Sequence, residues 1–341
     1  MTLLRMRFDL RVPPFARTDH AAQYRTMLEM VDWADTHGVA NIALSEHHGD
    51  PAGYTPAPIT LAAAVLSRTE HLTVSISASL VPLHDPVRLA EQIAAVDLIA
   101  PGRISVVLGA GYRKVEFAMA GVDRSSRGQL VAECAEVLQA AWTGEPFVFR
   151  GREVLVTPTP ATPGGPTIYI GGKSVPAARR AARLRLPFLP AVADPVVVGA
   201  YLEEAERIGF DGAEVNGFTS LAQYQARPGA DVPPPMVPGF VMVANDPDAT
   251  WARIAENALY DAETYAAWQD DTVHSDWAVM DAAGAESLRT SGRYAMVTPA
   301  QCIELAHRNG GLILHPLMGG IEPELAWESL RLFETDVLPY L

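Results

Sequence analysis

The feature of this chain that most constrains its fold is a repeated alternation between strand-like and helix-like hydrophobic periods. Short apolar strands alternate with amphipathic helices of about 10–15 residues, which is the spacing of βα units. Such strands must run parallel, because each helical crossover returns the chain in the same direction. The predicted strands are 7–12, 41–45, 72–80 and 104–108, and the predicted helices between them are 21–37, 58–68 and 86–99.

The later part of the chain brings the number of predicted strands to eight. The additional strands are 167–170, 188–192, 239–244 and 311–315. Eight βα units predict a closed (β/α)8 TIM barrel, and 341 residues suit a barrel of about 250 residues with insertions. An open, doubly wound parallel sheet is the alternative. We therefore expect a single domain over 1–341, with insertions at about 145–166 (a β-hairpin and a proline-rich loop), 216–238 and 251–288.

The charge balance excludes several classes of partner. Forty acidic residues against 26 basic ones give a net charge of −14, which disfavours nucleic acids and anionic membranes as main partners. No apolar run approaches the ~18 residues of a membrane span, and the amino terminus lacks the pattern of a signal peptide. The two cysteines, Cys134 and Cys302, show no disulfide or zinc spacing. These observations predict a cytoplasmic enzyme.

In a parallel barrel the active site lies at the carboxyl ends of the strands. The strand ending near Ile170 continues as Gly171, Gly172, Lys173 and Ser174, and Pro176 follows in the next helix. Glycines permit close approach to a ligand, and a helix begun by a serine cap offers free N–H groups to a phosphate. An ordinary strand-to-helix turn with a solvated lysine is an equally good reading of this motif.

Two other strand ends carry polar or small residues. Glu46, His47 and His48 follow the second strand, but no third ligand at metal-binding spacing accompanies them, so a metal site is disfavoured. One histidine acting as a hydrogen-bond donor or acid–base group fits better, and the sequence leaves open which ring faces the cavity. Gly109 and Gly111 lack the remainder of a dinucleotide-binding fingerprint, so the small residues here are expected to make room for something flat.

The order and spacing of these motifs resemble the bacterial luciferase-like family of flavin-dependent oxidoreductases. The resemblance covers nearly the whole chain. The motifs that carry it are Glu46-His47-His48, the segment 81–92 (VPLHDPVRLAEQ), 102–104 leading into 108–111 (LGAG), Arg127 with Glu133, 170–174 (IGGKS), 298–303 and 332–339.

The resemblance implies a cofactor site at the carboxyl-terminal mouth of the barrel, for reduced flavin mononucleotide (FMN) or, in sister groups, deazaflavin coenzyme F420. His47 falls on the catalytic histidine near the reactive edge of the flavin ring. Ser77 and Ala78 fall on a segment that packs against the ring through a cis peptide bond, and Gly109 falls on a position beside the flavin. Arg127 and the segment Gly171, Gly172, Lys173 and Ser174 fall on the phosphate-binding positions.

Two departures from the family pattern limit the inference. The luciferases proper carry a cysteine where this chain has Gly109, so the aldehyde light reaction is not supported. Two phosphate contacts of luciferase are also replaced, by Gly172 and Lys173, which leaves the geometry of the anion site open.

The leading hypothesis is a flavin-dependent monooxygenase that uses reduced FMN and O2 on a small, apolar organic substrate. A separate reductase would supply the reduced FMN, because no nicotinamide fingerprint is present. The alternatives are an F420-dependent dehydrogenase or reductase on the same fold and a non-catalytic flavin-binding barrel. Tyr54, Tyr112 and Met318 are expected to line the substrate chamber, and the resemblance implies a homodimer.

Overall fold

A computed structural model describes residues 2–191, 194–212, 238–269 and 284–341. The chain divides into two compact units, and each is described by itself. The first unit comprises Met1–Pro56, Arg68–Val74 and Pro235–Leu341, and the second comprises Ala57–Ser67 and Ser75–Pro234. The predicted insertion 216–238 lies almost entirely outside the described residues, as do 270–283 of the predicted insertion 251–288 and Val192 of the sixth predicted strand.

The described strands form one large parallel sheet and two small sheets. The large sheet has seven strands in the order β11-β1-β2-β3-β4-β7-β8, β9 pairs with β10 in parallel, and β5 pairs with β6 as an antiparallel hairpin. The strands are β1 (Leu3–Phe8), β2 (Asn41–Leu44), β3 (Thr73–Leu80), β4 (Ile104–Gly109), β5 (Phe147–Phe149), β6 (Arg152–Val154), β7 (Thr167–Gly172), β8 (Phe188–Pro190), β9 (Phe240–Val243), β10 (Tyr294–Val297) and β11 (Gly311–Leu314).

Helices follow most of the parallel strands, as the alternation predicts. They are α1 (His20–Thr36), α2 (Pro58–Leu66), α3 (Pro86–Ile99), α4 (Lys114–Ala120), α5 (Arg127–Ala141), α6 (Val175–Arg183), α7 (Pro195–Arg207), α8 (Pro247–Ala267), α9 (Ala285–Thr290), α10 (Pro299–Asn309) and α11 (Pro323–Asp336). Many begin with a cap and a proline, as α3 does after Asp85, whose side chain accepts from the backbone of Val87 and Arg88. Parallel α/β architecture is therefore confirmed.

The first strand lies earlier than the sequence predicts. The predicted strand 7–12 is wrong in its bounds, because β1 covers Leu3–Phe8 and pairs in parallel with β11 and β2. Leu4, Met6 and Phe8 are buried, so the alternating pattern extends toward the amino terminus. Leu10 has φ +56°, which ends the extended conformation before the predicted strand does.

The short strand β10 is an addition to the predicted set. Tyr294–Val297 pairs in register with Phe240–Val243, so the ninth and tenth strands in the chain form a parallel pair of their own. Four residues are too few for hydrophobic periodicity to identify a strand. The hairpin predicted within 145–166 is present at β5 and β6, and α8 covers the first part of the predicted insertion 251–288.

Candidate functional site

The two histidines after β2 have different surroundings. His48 Nε2 lies 2.9 Å from Glu46 Oε1, within hydrogen-bond distance of a fully buried carboxylate. The His47 ring is 8% exposed and lies 4.8 Å from the Tyr54 ring, edge to face, and 4.6 Å from the Trp268 ring. His48 is therefore held by an acidic neighbour, whereas His47 belongs to an aromatic cluster. The catalytic role of His47 stays a prediction.

The aromatic cluster consists of His47, Tyr54, Tyr265 and Trp268, all in the first unit. The hydroxyl groups of Tyr54 and Tyr265 lie 2.8 Å apart, and the Tyr265 and Trp268 rings lie 5.3 Å apart. Tyr265 is in the last turn of α8, and Trp268 caps that helix. The sequence predicted Tyr54 as a substrate contact. It pointed to Tyr265 and Trp268 only through the insertion that contains them.

A buried ion network, which sequence reasoning missed, lies beside this cluster. Arg11 is fully buried, and its Nη2 donates to Asp9 Oδ2 at 2.7 Å and to a carboxylate oxygen of Asp261. The Tyr294 hydroxyl donates to the other oxygen of Asp261 at 2.6 Å, and the Gly319 backbone N–H donates to Asp9 at 3.2 Å. The network ties the end of β1 to α8, which carries Tyr265.

The electrostatics of this network favour a charged Asp9 and a neutral His315. Burial acts to raise the pKa of Asp9, but Arg11 lies so close that the pKa falls below its usual value. His315, which follows β11, is 2% exposed; burial, with Arg7 and Arg11 nearby, lowers its pKa to about 3, despite the opposing effect of Asp9. His315 is therefore neutral near pH 7.

The second unit holds the residues that the resemblance assigns to the flavin ring. The peptide bond between Ser77 and Ala78, near the end of β3, is cis. A Cβ atom on Gly109, at the end of β4, would lie 2.8 Å from the Ala78 Cβ and 3.1 Å from the Ser79 carbonyl oxygen. The space beside Gly109 is thus filled by the Ala78 segment rather than left open for something flat. Direct contact of Ser77, Ala78 or Gly109 with a cofactor stays a prediction.

The segment after β7 has the geometry of a capped helix start. Ser174 is the N-cap of α6, and its hydroxyl accepts from the Ala177 backbone N–H at 3.4 Å. A Cβ on Gly172 would lie 2.6 Å from the Ala177 Cβ, so only glycine lets the strand approach the helix this closely. Gly171, Gly172 and Lys173 are half-buried, and Ser174 is exposed. The positive end of the helix dipole therefore lies at the predicted phosphate position.

Two arginines of the second unit approach each other. Arg127 is the first residue of α5. The Arg180 guanidinium lies against Gly128, the next residue, where an added Cβ atom would be 2.5 Å from Arg180 Nη2. Partial burial lowers the pKa of Arg180, and the positive charges of Arg127 and Arg183 lower it further. Arg183 is paired with Glu204 at 2.6 Å. Within the described ranges, no carboxylate forms an ion pair with Arg127 or Arg180.

The Arg127–Arg180 pair is a second feature that sequence reasoning only half identified. Arg127 was predicted from its place in the family pattern, whereas Arg180 carries no motif of its own. The sequence offered little reason to choose Arg180, because Arg179, Arg180 and Arg183 all lie within α6 and differ only in the side of the helix on which they lie. The positive charges of Arg127 and Arg180 repel each other, and no carboxylate among the described residues offsets this repulsion. A bound anion would offset it.

Two of the three predicted substrate residues are buried. Tyr54 is 2% exposed and Met318 is 0% exposed. Tyr112 is half-buried between β4 and α4. Contact of these three side chains with substrate stays a prediction.

The described residues contain neither a metal-binding cluster nor a membrane-spanning helix. No group of three or more His, Cys, Asp or Glu side chains in these ranges is arranged to hold a metal ion. Within the same ranges, no helix has the length and hydropathy required to cross a membrane.

Comparison with known proteins identifies the family to which these motifs correspond. The model of the luciferase-like monooxygenase family matches residues 6–309. The oxygenase component of the flavin-dependent trigonelline monooxygenase from Acinetobacter baylyi is 28% identical over 145 residues, which cover 41% of this chain and 40% of that protein. Curated relatives such as this one are thus matched over only about two fifths of their length.

Solved structures resemble the chain over nearly its full length. The oxygenating constituent of 3,6-diketocamphane monooxygenase from Pseudomonas putida, in complex with FMN, has a TM-score of 0.65 and 16% identity and covers 100% of this chain and 99% of its own. An F420-dependent secondary alcohol dehydrogenase, in complex with an F420–acetone adduct, has a TM-score of 0.61 and 15% identity, with coverage of 100% and 99%. At these identities the likeness concerns the fold alone, an α/β fold built around a parallel sheet.

Proposed function

Because the chain belongs to the luciferase-like monooxygenase family, we propose that it is the oxygenase of a flavin-dependent monooxygenase. It would use reduced FMN and O2 to oxygenate a small organic substrate with an apolar body. The observation that carries the proposal is the Arg127–Arg180 pair, whose charges lack a carboxylate partner among the described residues. The phosphate of FMN would supply an anion for this pair to bind.

The residues of the second unit suit a flavin phosphate. Arg127 and Arg180 would donate charge-assisted hydrogen bonds to the phosphate, and the N–H groups at the start of α6 would add the helix dipole. Lys173 and the Gly171–Gly172 backbone would lie beside it. The Ser77–Ala78 segment, supported by Gly109, would face the flavin ring.

The residues of the first unit would control the reacting end of the substrate. Reduced FMN, when bound, supplies the electrons that activate O2. The His47 ring, held between Tyr54 and Trp268, would orient the substrate and donate or accept a proton at a ring nitrogen. The surrounding aromatic rings would exclude water from the reaction. Met318 would also line the substrate chamber in this unit, and Tyr112 stays a predicted substrate contact of the second unit.

The wider setting follows the same proposal. The relative from Acinetobacter baylyi is named an oxygenase component, which supports a separate flavin reductase as partner. We also propose a complete (β/α)8 barrel forming one domain over 1–341, a homodimer, and a cytoplasmic location.

Anaerobic titration with reduced FMN tests the cofactor assignment. We expect saturable binding of reduced FMN, weaker binding of reduced F420, and O2 consumption coupled to substrate oxygenation when a reductase is added. Tight binding of F420 without binding of FMN would instead establish an F420-dependent dehydrogenase or reductase, which the similarity to the alcohol dehydrogenase makes the second candidate.

A His47→Ala variant tests the catalytic assignment. We expect it to bind reduced FMN as the wild type does and to lose most of the coupled oxygenation. Full retention of turnover would remove His47 from the mechanism. Bound flavin without turnover in the wild type, across a broad substrate panel, would favour a non-catalytic flavin-binding protein.

A further inference from the structure

Arg7 is a cation of the first unit that forms no ion pair with any of the described residues. It lies on β1 and is half-buried, whereas Arg5, two residues earlier on the same face of the strand, is exposed. Its Nη2 donates to the Tyr265 hydroxyl at 3.4 Å. Across the described parts of the chain, no carboxylate lies within ion-pair distance of Arg7. A guanidinium has five N–H donors, so most of those on Arg7 are available to a ligand.

The neighbouring arginine shows what a structural arginine looks like in this unit. Arg11 is fully buried, and it engages both Asp9 and Asp261. These two acids also act on Arg7 at longer range, but their short contacts go to Arg11. Burial tends to lower the pKa of Arg7, yet the surrounding phenol and carboxylate groups raise it above its usual value. Arg7 is therefore charged at any physiological pH.

Aromatic rings connect Arg7 to the predicted catalytic histidine. Tyr265 contacts Arg7, and its hydroxyl lies 2.8 Å from that of Tyr54. The Trp268 ring lies 5.3 Å from the Tyr265 ring and 4.6 Å from the His47 ring. A cation at one end, two phenol hydroxyls beside it and an indole face near His47 form one continuous series of contacts within the first unit.

We propose that Arg7 and Tyr265 bind the carboxylate of an aromatic carboxylate substrate, whose ring packs against Trp268 beside His47. The guanidinium and the phenol both donate hydrogen bonds to carboxylate oxygens, and the indole offers a flat apolar surface to the ring. In a chain of net charge −14, a local cation is needed to hold an anion. The assignment of this anion as the substrate rests on the proposed function and narrows its substrate class.

Calorimetric titration with benzoate and with its neutral analogue benzamide tests this inference, on the protein with and without saturating FMN. We expect the wild type to bind benzoate more tightly than benzamide. Arg7→Gln should lower the benzoate affinity about 10- to 150-fold, as expected for loss of a hydrogen bond to a charged group, and leave the benzamide affinity nearly unchanged. Arg5→Gln is the matched control, and it should change neither affinity.

Several outcomes would overturn the inference. They are equal affinity of the wild type for the two probes, no binding of benzoate in either form of the protein, and an equal loss of benzoate affinity in Arg5→Gln. If Arg7→Gln does not fold, Tyr265→Phe provides the test instead, because it removes one hydroxyl group and keeps the ring. That variant should lower the benzoate affinity severalfold, and an unchanged affinity would count against the proposal.

Titration of the same preparations with reduced FMN separates this inference from the proposed function. FMN binding without a preference for benzoate overturns the substrate class alone. Preference for benzoate without binding of reduced FMN supports the anion site and contradicts the flavin assignment.

Discussion

Arg11 of the first unit and the Arg127–Arg180 pair of the second unit differ in how their charges are compensated. In the first unit, Arg11 is fully buried and its charge is matched by Asp9 and Asp261. In the second, Arg127 and Arg180 lie near each other, and the positive charge of Arg127 adds to partial burial in lowering the pKa of Arg180. A matched buried charge belongs to the architecture, because losing either partner leaves an uncompensated ion. Unmatched charges of like sign weaken the fold unless an anion binds between them.

The largest effect is expected from breaking the matched network. Asp261→Asn would leave Arg11 with one carboxylate and alter the acceptor of the Tyr294 hydroxyl, so we expect the free energy of unfolding to fall by about 3–5 kcal/mol. Urea denaturation measures this. Glu328→Gln, which removes the exposed ion pair between Arg253 and α11, is the control and should cost about 1 kcal/mol or less. Equal losses in the two variants would show that the buried network is not special.

The unmatched pair should show the reverse pattern. Arg127→Gln and Arg180→Gln should each lower the affinity for reduced FMN about 10- to 150-fold, since each removes charge-assisted hydrogen bonds to the phosphate. Neither should lower the free energy of unfolding of the unliganded protein, because each relieves repulsion. Anaerobic FMN titration and urea denaturation provide the two measurements.

The control for these variants is Arg183→Gln on the same helix. Arg183 is already engaged by Glu204 at 2.6 Å, so its removal should leave FMN affinity nearly unchanged. If Arg127→Gln destabilised the unliganded protein as strongly as Asp261→Asn, the contrast between the two units would be wrong.

A smaller effect distinguishes the first unit by pH. The pKa of His315 is about 3 in the folded protein, against an ordinary value of 6.5. Between these values the unfolded chain binds a proton that the folded chain does not, so stability falls as the pH falls below 6.5. From pH 7 to pH 5 this amounts to about 2 kcal/mol. His315→Gln should remove that part of the pH dependence in urea titrations, whereas His71→Gln, at an exposed site, should retain it.

The sequence predicted much of the architecture because local periodicity carries it. Helix α3 begins at Pro86 and ends at Ile99 as predicted, since an aspartate cap, a proline and a following Pro-Gly mark both ends. The hairpin of β5 and β6 was likewise readable from its turn. The predicted bounds of β1 were wrong because alternation alone does not locate the residue where φ turns positive. Strand β10 was not predicted because four residues are too few to show a hydrophobic period.

The candidate site was only partly predictable. Family motifs predicted His47, the Ser77–Ala78 segment and Arg127 as site residues, because each lies in a local pattern with a typical spacing. Arg11 and Asp261 are 250 positions apart, and no local pattern links them. The sequence did not distinguish Arg180 from the other arginines of α6, nor Arg7 from the other polar residues of β1.

The sequence by itself determined most of the order of strands and helices, the net charge of −14, the capped start of α6 and the family, because these depend on local composition and spacing. Only the tertiary structure decided which charges are matched. It gave Arg11 two carboxylates, left Arg7, Arg127 and Arg180 without one among the described residues, and separated His47 from His48 by their neighbours. Charge compensation acts over a few ångströms in space, and residues far apart in the chain meet at that distance only after folding.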